Sequence, residues 1–480
     1  MKNTRPMMKA WWFALALILV LQVIWHMPGT IALRNALLGT LVLSVGSLTY
    51  GYRKQIATTV GSTKLSMVFL GLLTAWIVLV NICFGDRPSL NWPEFLSHWL
   101  IPSICAFVAW LFGTLTVSMG KKSVNRVMTA LFLVYFLQVF AHDVMSLVFL
   151  AEKGEFAFRN APVLYLPEML QGIGSGKPFA AYFSGHFFGF FSYVNAILGA
   201  FLVAEIVQRV LIRERTLNCP SWLLYVGIGL VIVCSYIIKA RNGNIGLLML
   251  LLMAALMVGY RLSARVSKLK VLGALSVFLI VFSMIGYTFI KSDSRWLTLV
   301  ETAPVAWDTK THLAWINKEP LPMLANGQSV DASNYERLAW FKEGLLLLEE
   351  RPLGSGYDRN SWGGRIDSKY QMGGTWNGAH SHSGILDFAI ATGIPGACLW
   401  LAFMGSLAWA GFRSFQSGNI AISLVLIFVV SGYFGRTLVD SVIRDHFLQV
   451  FMFLSGLLLA LSQQSRVQES QVRKQVKTVI

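Results

Sequence analysis

Charge is what this chain has least of. Only 13% of its 480 residues are Asp, Glu, Lys or Arg, against 55% hydrophobic, and the mean hydropathy is +0.59. No soluble globular domain of this size needs that composition to fill its core. Acidic residues are scarcer still, 23 against 40 basic ones, and no DxD motif or carboxylate cluster of the kind that holds a divalent ion is present. The five cysteines, Cys83, Cys105, Cys219, Cys234 and Cys398, lie in or beside apolar runs without metal-like or disulfide-like spacing. They read as small apolar packing residues, which excludes a disulfide scaffold. Internal repeats and low-complexity tracts are absent apart from a basic C-terminal tail. No small-residue cleavage site follows the first apolar run, Trp11 to Trp25, so it reads as a first span rather than a signal peptide. These absences leave a polytopic membrane protein.

Twelve stretches are long and apolar enough to cross a bilayer, near 10–25, 31–50, 65–84, 98–118, 126–150, 186–208, 221–238, 243–260, 269–290, 394–412, 418–436 and 445–462. The net charge of +17 then has an explanation other than nucleic acid. If the N-terminus is cytoplasmic, the inner segments carry Lys2, Arg5 and Lys9; Arg53, Lys54 and Lys64; Lys121, Lys122 and Arg126; Arg209, Arg213 and Arg215; Arg261, Arg265, Lys268 and Lys270; Arg413; and Arg466, Arg473, Lys474 and Lys477. Every alternate loop obeys the positive-inside rule, and both termini fall in the cytoplasm. The expected organisation is all-α: spans one to nine over residues 1–290, a large exterior loop over 291–393, spans ten to twelve over 394–462 and a basic tail over 463–480. In a Gram-negative cell the exterior segments, including 85–97, 151–185 and the Lys239–Arg241 corner, are periplasmic. No free nucleotide is available there, so an activated donor has to arrive on a lipid.

The long loop holds the conspicuous polar groups. Leu338, Phe341, Leu345 and Leu348 recur at helical spacing and predict a helix from Tyr335 to Glu350, closed by Arg351-Pro352. Glycines 354, 356, 363, 364, 373, 374 and 378 then suggest a flexible, turn-rich segment leading to His380 and His382. Ser381 or Ser383 can cap a short helix from Gly384 to Ala391, which Thr392-Gly393-Ile394-Pro395-Gly396 breaks before the next span. A histidine at a helix N-terminus is pushed toward its neutral form, the form that abstracts a proton from a sugar hydroxyl. The HxH spacing also suggests metal, but no third and fourth ligand stands at recognisable spacing, and no metal or cofactor is expected.

Arg241 sits between two apolar spans at the non-cytoplasmic edge, where the positive-inside rule disfavours it. It serves either as a snorkelling interfacial residue or as an anion clamp, helped by the free N–H groups of the helix that Asn242, Gly243 and Asn244 open. Arg337, one turn from Phe341, reads on its own as an exposed helix charge. Arg159, His186 and Asn195 are candidates to line the same cavity, although structural roles explain them as well. Tyr357 and Arg359 are candidates to touch sugar. Asp440, Arg444 and Asp445 read as a local ion-pair cluster in the last exterior loop.

Together RLAWFKEGLLLLEERPLGSGY (337–357) and HSHSGILDFAIATGIPG (380–396) resemble the shared signature of the O-antigen ligase and O-antigen polymerase superfamily: an arginine-led helix, a P-L-G-x-G turn and an H-x-H-N-x-x-L…G-x-x-G element. KARNGNIG (239–246) is similar to that family's arginine-bearing segment opening a span after mid-chain. Ser383 stands where many members carry Asn, so any role of that amide is not carried over; His382 stays aligned. The resemblance implies a GT-C-like membrane glycosyltransferase with an undecaprenyl-diphosphate-linked glycan as donor, acting at the periplasmic face of the bacterial inner membrane. The acceptor is the lipid A core oligosaccharide in ligases and another lipid-linked repeat unit in polymerases. Arg241 and Arg337 would bind the diphosphate, and His382 would activate the acceptor hydroxyl, with His380 as neighbour or alternate.

The residue chemistry agrees in part. With no carboxylate cluster to hold Mg²⁺, neutralising a diphosphate leaving group falls to arginines, which grip phosphate bidentately. Direct attack by a hydroxyl would invert the anomeric centre without a covalent intermediate. Within the resemblance, the single long exterior loop with Arg and HxH at its membrane-proximal end matches the ligase pattern rather than the two sizeable loops of many polymerases, and a protein-glycosylating oligosaccharyltransferase of the same superfamily differs only in its acceptor. A lipid-linked glycan transporter is the alternative of another class; it would place charges near mid-bilayer, where this chain has few.

Overall fold

A computed structural model describes residues 4–25, 27, 30–53, 63–153, 188–238, 241–292, 298–324, 327–376 and 378–464. Each of the twelve apolar stretches falls on a helix: α1 (Thr4–Ile24), α2 (Ile31–Gly51), α3 (Lys64–Cys83), α5 (Ile101–Ser118), α6 (Lys121–Lys153), α7 (Phe188–Ile212), α8 (Ser221–Ile238), α9 (Arg241–Leu262), α10 (Lys268–Ser292), α14 (Gly384–Gln416), α15 (Ile420–Val439) and α16 (Asp445–Leu461). Ten helices among the described residues are long and apolar enough to cross a membrane, and a further apolar helix, His446–Leu461, is shorter. The protein is a polytopic all-helical membrane protein. A short helix, α4 (Pro88–Phe95), runs through a π-helical turn, Leu96–Leu100, into α5.

The centre of the bundle is the pair α5 and α16, whose small residues let the backbones approach. Gly456 lies against the Ala106 carbonyl and Gly113 against Ala460 and Leu457. Around this pair α15 packs against α7, α9, α14 and α16, and α14 packs against α3.

The loop between α10 and α14 is a folded layer, made of α11 (Leu299–Trp307), a 3₁₀ turn at Ala314–Ile316, α12 (Ala332–Glu350) and α13 (Ser361–Tyr370). The expected helix is found and begins three residues earlier, where the Asp331 carboxylate accepts a capping hydrogen bond from the Asn334 N–H at 2.9 Å. Its most buried row is Tyr335, Ala339, Glu343 and Leu347, at i, i+4 spacing, rather than the leucine-rich repeat; Leu345 is exposed. Glu343 tolerates that burial because its carboxylate takes hydrogen bonds from the Thr309 hydroxyl at 2.5 Å and Lys369 Nζ at 3.3 Å.

The glycine-rich segment is ordered and not simply turns. Residues 361–370 form α13, and the Arg87 guanidinium lies over Gly364, within 2.3–2.6 Å of where a Cβ would stand. The segment docks on α3 and α4. Asn81 Oδ1 accepts from the Tyr357 N–H at 2.6 Å, Arg87 pairs with Asp358 at 2.7 Å, and Arg351 pairs with Asp86. Gly356 has φ +101°, and a Cβ there would meet Asn91 Nδ2 at 1.9 Å. Gly356→Ala should therefore loosen this docking and lower thermal stability by at least the ~1–2 kcal/mol of a left-handed residue. A melting curve of the detergent-solubilised variant equal to wild type would refute it.

Candidate active site

The short helix after the HxH element forms as expected. Gly393, with φ 76° and ψ 174°, interrupts α14 and separates an outer piece beginning at Gly384 from the span proper. Ser383 is the N-cap residue, but its hydroxyl makes no capping hydrogen bond. The helix start is instead tied to the loop before α16: Gly384 N–H donates to the Asp440 carbonyl at 3.0 Å, and Asp387 accepts from the Ser441 hydroxyl at 2.6 Å and the Ser381 N–H at 2.9 Å.

Those anchors hold the two histidines side by side, ring centroids 4.3 Å apart. His382 adopts a left-handed backbone, φ 58°, a conformation uncommon outside glycine and concentrated at functional sites. Its N–H donates to His380 Nδ1 at 3.2 Å. That contact fixes the tautomer of His380: Nδ1 is an acceptor, and the neutral ring carries its proton on Nε2. Neither ring nitrogen of His382 has a hydrogen-bond partner among the described residues.

On α12, Arg337 and Trp340 share a face one turn apart. Trp340 stacks on the His382 ring at 5.1 Å and 10° and is itself held by a hydrogen bond from its indole N–H to the Trp315 carbonyl at 3.0 Å. Arg337 is exposed, has no ion-pair partner among the described residues, and lies close enough to act on both imidazoles. Arg444, whose Nε donates to the Ser441 carbonyl at 2.9 Å, does the same from the start of α16. Burial, then Arg337, lowers the pKa of His382 to about 4, with the Asp440 carboxylate opposing. Burial, then Arg444, lowers that of His380 to about 3. Both rings are neutral above about pH 5: desolvation dominates, and neighbouring guanidiniums follow.

Arg241 opens α9, as the sequence suggested. This helix packs against α15, and Gly246 and Leu250 line a small cavity with Phe428, Gly432 and Arg436, so the start of α9 lies at the level of the α15 C-terminus, near the α14–α16 junction. Arg436, buried within the last turn of α15, donates to the Ser192 hydroxyl at 2.9 Å and lies within electrostatic reach of Asp440. Arg337, His380, His382, Arg444, Arg436 and the start of α9 thus gather at one end of the bundle.

The other candidates are placed elsewhere or tied up. Tyr357 is buried, and its hydroxyl donates to the His98 carbonyl at 3.1 Å. Arg359 pairs with Glu94 at 3.3 Å. Asn195 donates to Ser235 Oγ at 3.0 Å and the Val231 carbonyl at 3.1 Å, tying α7 to α8. Arg159 and His186 lie outside the described residues. Trp340 and Arg444 escaped the sequence reading. Trp340 sits inside an apolar helix pattern, and Arg444 looked self-sufficient beside Asp440 and Asp445. The spacing of Arg337 and Trp340 on one helix face was the available signal.

The multi-span helical bundle thus carries two neutral histidines and the guanidinium groups of Arg337, Arg436 and Arg444 at one end. Residues 226–401 match the family model described as O-antigen ligase, and over that segment the chain is similar to the family. The matched segment contains Arg241, Arg337, His380 and His382. No curated protein matches the chain.

Proposed function

We propose that the protein is an O-antigen ligase: it transfers glycan from an undecaprenyl-diphosphate-linked donor to a hydroxyl of the lipid A core oligosaccharide at the periplasmic face of the inner membrane. The observation that carries this reading is His382, with both ring nitrogens open to a substrate, stacked on Trp340 and kept neutral beside Arg337 and Arg444. In the proposed step a ring nitrogen of His382 takes the proton of the acceptor hydroxyl. The oxygen bonds to the anomeric carbon as the bond from that carbon to the diphosphate oxygen breaks on the opposite face, inverting configuration. Arg241 and Arg337 receive the departing diphosphate, and Arg444 adds a third cation that the sequence did not suggest. The Nε2–H of His380 is available to donate a hydrogen bond to a sugar or phosphate oxygen.

Transfer by the purified, lipid-reconstituted protein tests the reading. Glycan appearing on added lipid A core supports the ligase; donor units joined only to one another support a polymerase and overturn it. In the same assay Arg241→Lys should be impaired by about tenfold or more, because an ammonium lacks the bidentate fork and one charge-assisted hydrogen bond is worth about 1.5–3 kcal/mol. Full activity there would make Arg241 a snorkelling residue.

A further inference from the structure

Away from the histidine site, three side chains of mixed chemistry converge inside the bundle. His142 and Asp143 stand on α6 and Cys234 on α8, and the two helices pack against each other. The residues are 1%, 1% and 0% exposed. His142 Nδ1 lies 3.1 Å from Asp143 Oδ1 and 3.8 Å from Cys234 Sγ, and one ligand atom from each residue falls within 4.8 Å of the other two. Side chains at adjacent helical positions normally diverge, yet these two are turned toward the same thiol. The Asp143 carboxyl is buried, with His142 Nδ1 and the Cys234 thiol as its polar neighbours.

From this geometry we propose that His142, Asp143 and Cys234 bind a divalent transition ion of the zinc type. A tetrahedral zinc with ordinary bond lengths sets its N···O and N···S ligand edges at roughly 3.3 and 3.5 Å, close to the observed 3.1 and 3.8 Å, and the O···S edge, within 4.8 Å, closes on the ion as it binds. One thiolate, one imidazole and one carboxylate suit zinc, whereas Mg²⁺ and Ca²⁺ require mostly oxygen ligands. Binding leaves Cys234 as the thiolate, its proton released to solvent, with a fourth position for water. The Phe191 ring, 4.5 Å from that of His142, covers one side. The ion ties α6 to α8 seven residues before Arg241 in sequence and so fixes the helix end that leads into the Arg241 corner. Composition gave no hint of this, because Cys234 stands 92 residues from His142.

The test is metal content and cobalt spectroscopy on the full chain in lipid nanodiscs. Wild type should carry about one zinc per chain, and after exchange with Co²⁺ it should develop a thiolate-to-cobalt charge-transfer band. Cys234→Ser should lose that band and retain at least tenfold less zinc; His142→Gln should lose zinc while eluting as a folded protein. A wild-type chain that elutes as folded but holds no zinc and gives no thiolate–cobalt band overturns the proposal. Equal zinc in wild type and Cys234→Ser, an adventitious ion only, does so too.

Discussion

His382→Ala is expected to reduce glycan transfer by about 10²- to 10⁴-fold, the usual contribution of a positioned general base. The protein should remain inserted and abundant. The ring of His382 packs against Trp340 at the edge of the folded loop, while the anchors of this region belong to other residues: Asp387 with Ser441, and the Gly384 N–H with the Asp440 carbonyl. Its removal therefore takes away an acid–base group without removing a fold contact of comparable weight. His380→Ala should be milder, because its Nδ1 is occupied by the His382 N–H and the ring acts as neighbour and orienter. Equal activity of His382→Ala and wild type at matched abundance would eliminate the base role. A loss confined to His380→Ala would move that role to His380.

Arg337→Ala should cost about 10²- to 10³-fold in kcat/KM, the scale seen when one preorganised donor to a developing oxyanion is removed. Arg337→Lys should recover only part of it, since phosphate is gripped best by the guanidinium fork. A second readout separates this role from a structural one. Arg337 helps to hold the pKa of His382 down at about 4. Removing that positive charge lets the pKa rise, so a larger fraction of His382 is protonated at any given acidic pH. The acid limb of the pH–rate profile, expected near pH 4 in wild type, should then move to higher pH in Arg337→Ala. A variant that is slower with an unmoved limb would keep the phosphate role and remove the electrostatic one. An unchanged rate would remove both.

Sequence and structure divide along physical lines. Spans were legible because each is a local run of apolar residues that must be continuous to cross a bilayer. The α12 helix and the break in α14 were legible for the same reason: periodicity, Pro352, Gly393 and Pro395 act within a few residues of themselves. His382 and Arg337 stood out as polar groups in a sparsely charged chain. Their meeting was not legible, since it depends on α12 packing against the outer piece of α14. Nor was the burial of the histidines legible, or the approach of guanidiniums from α12 and from the residue before α16. Arg444 and the His142–Asp143–Cys234 group were hidden because they arise from contacts between segments tens of residues apart. Tyr357 carried a sugar-stacking expectation that any exposed loop aromatic would carry; here its ring is buried between Trp99 and Phe388, where it packs the loop onto the bundle.

The most direct test of the central claim is the banding pattern of surface lipopolysaccharide from cells deleted for this protein and complemented with wild type or His382→Ala at equal abundance. The account predicts a full ladder with wild type. With His382→Ala it predicts lipid A core bearing no glycan, alongside polymer accumulated on its carrier lipid. A full ladder restored by His382→Ala, or core capped with a single repeat unit in the deletion strain, would contradict it.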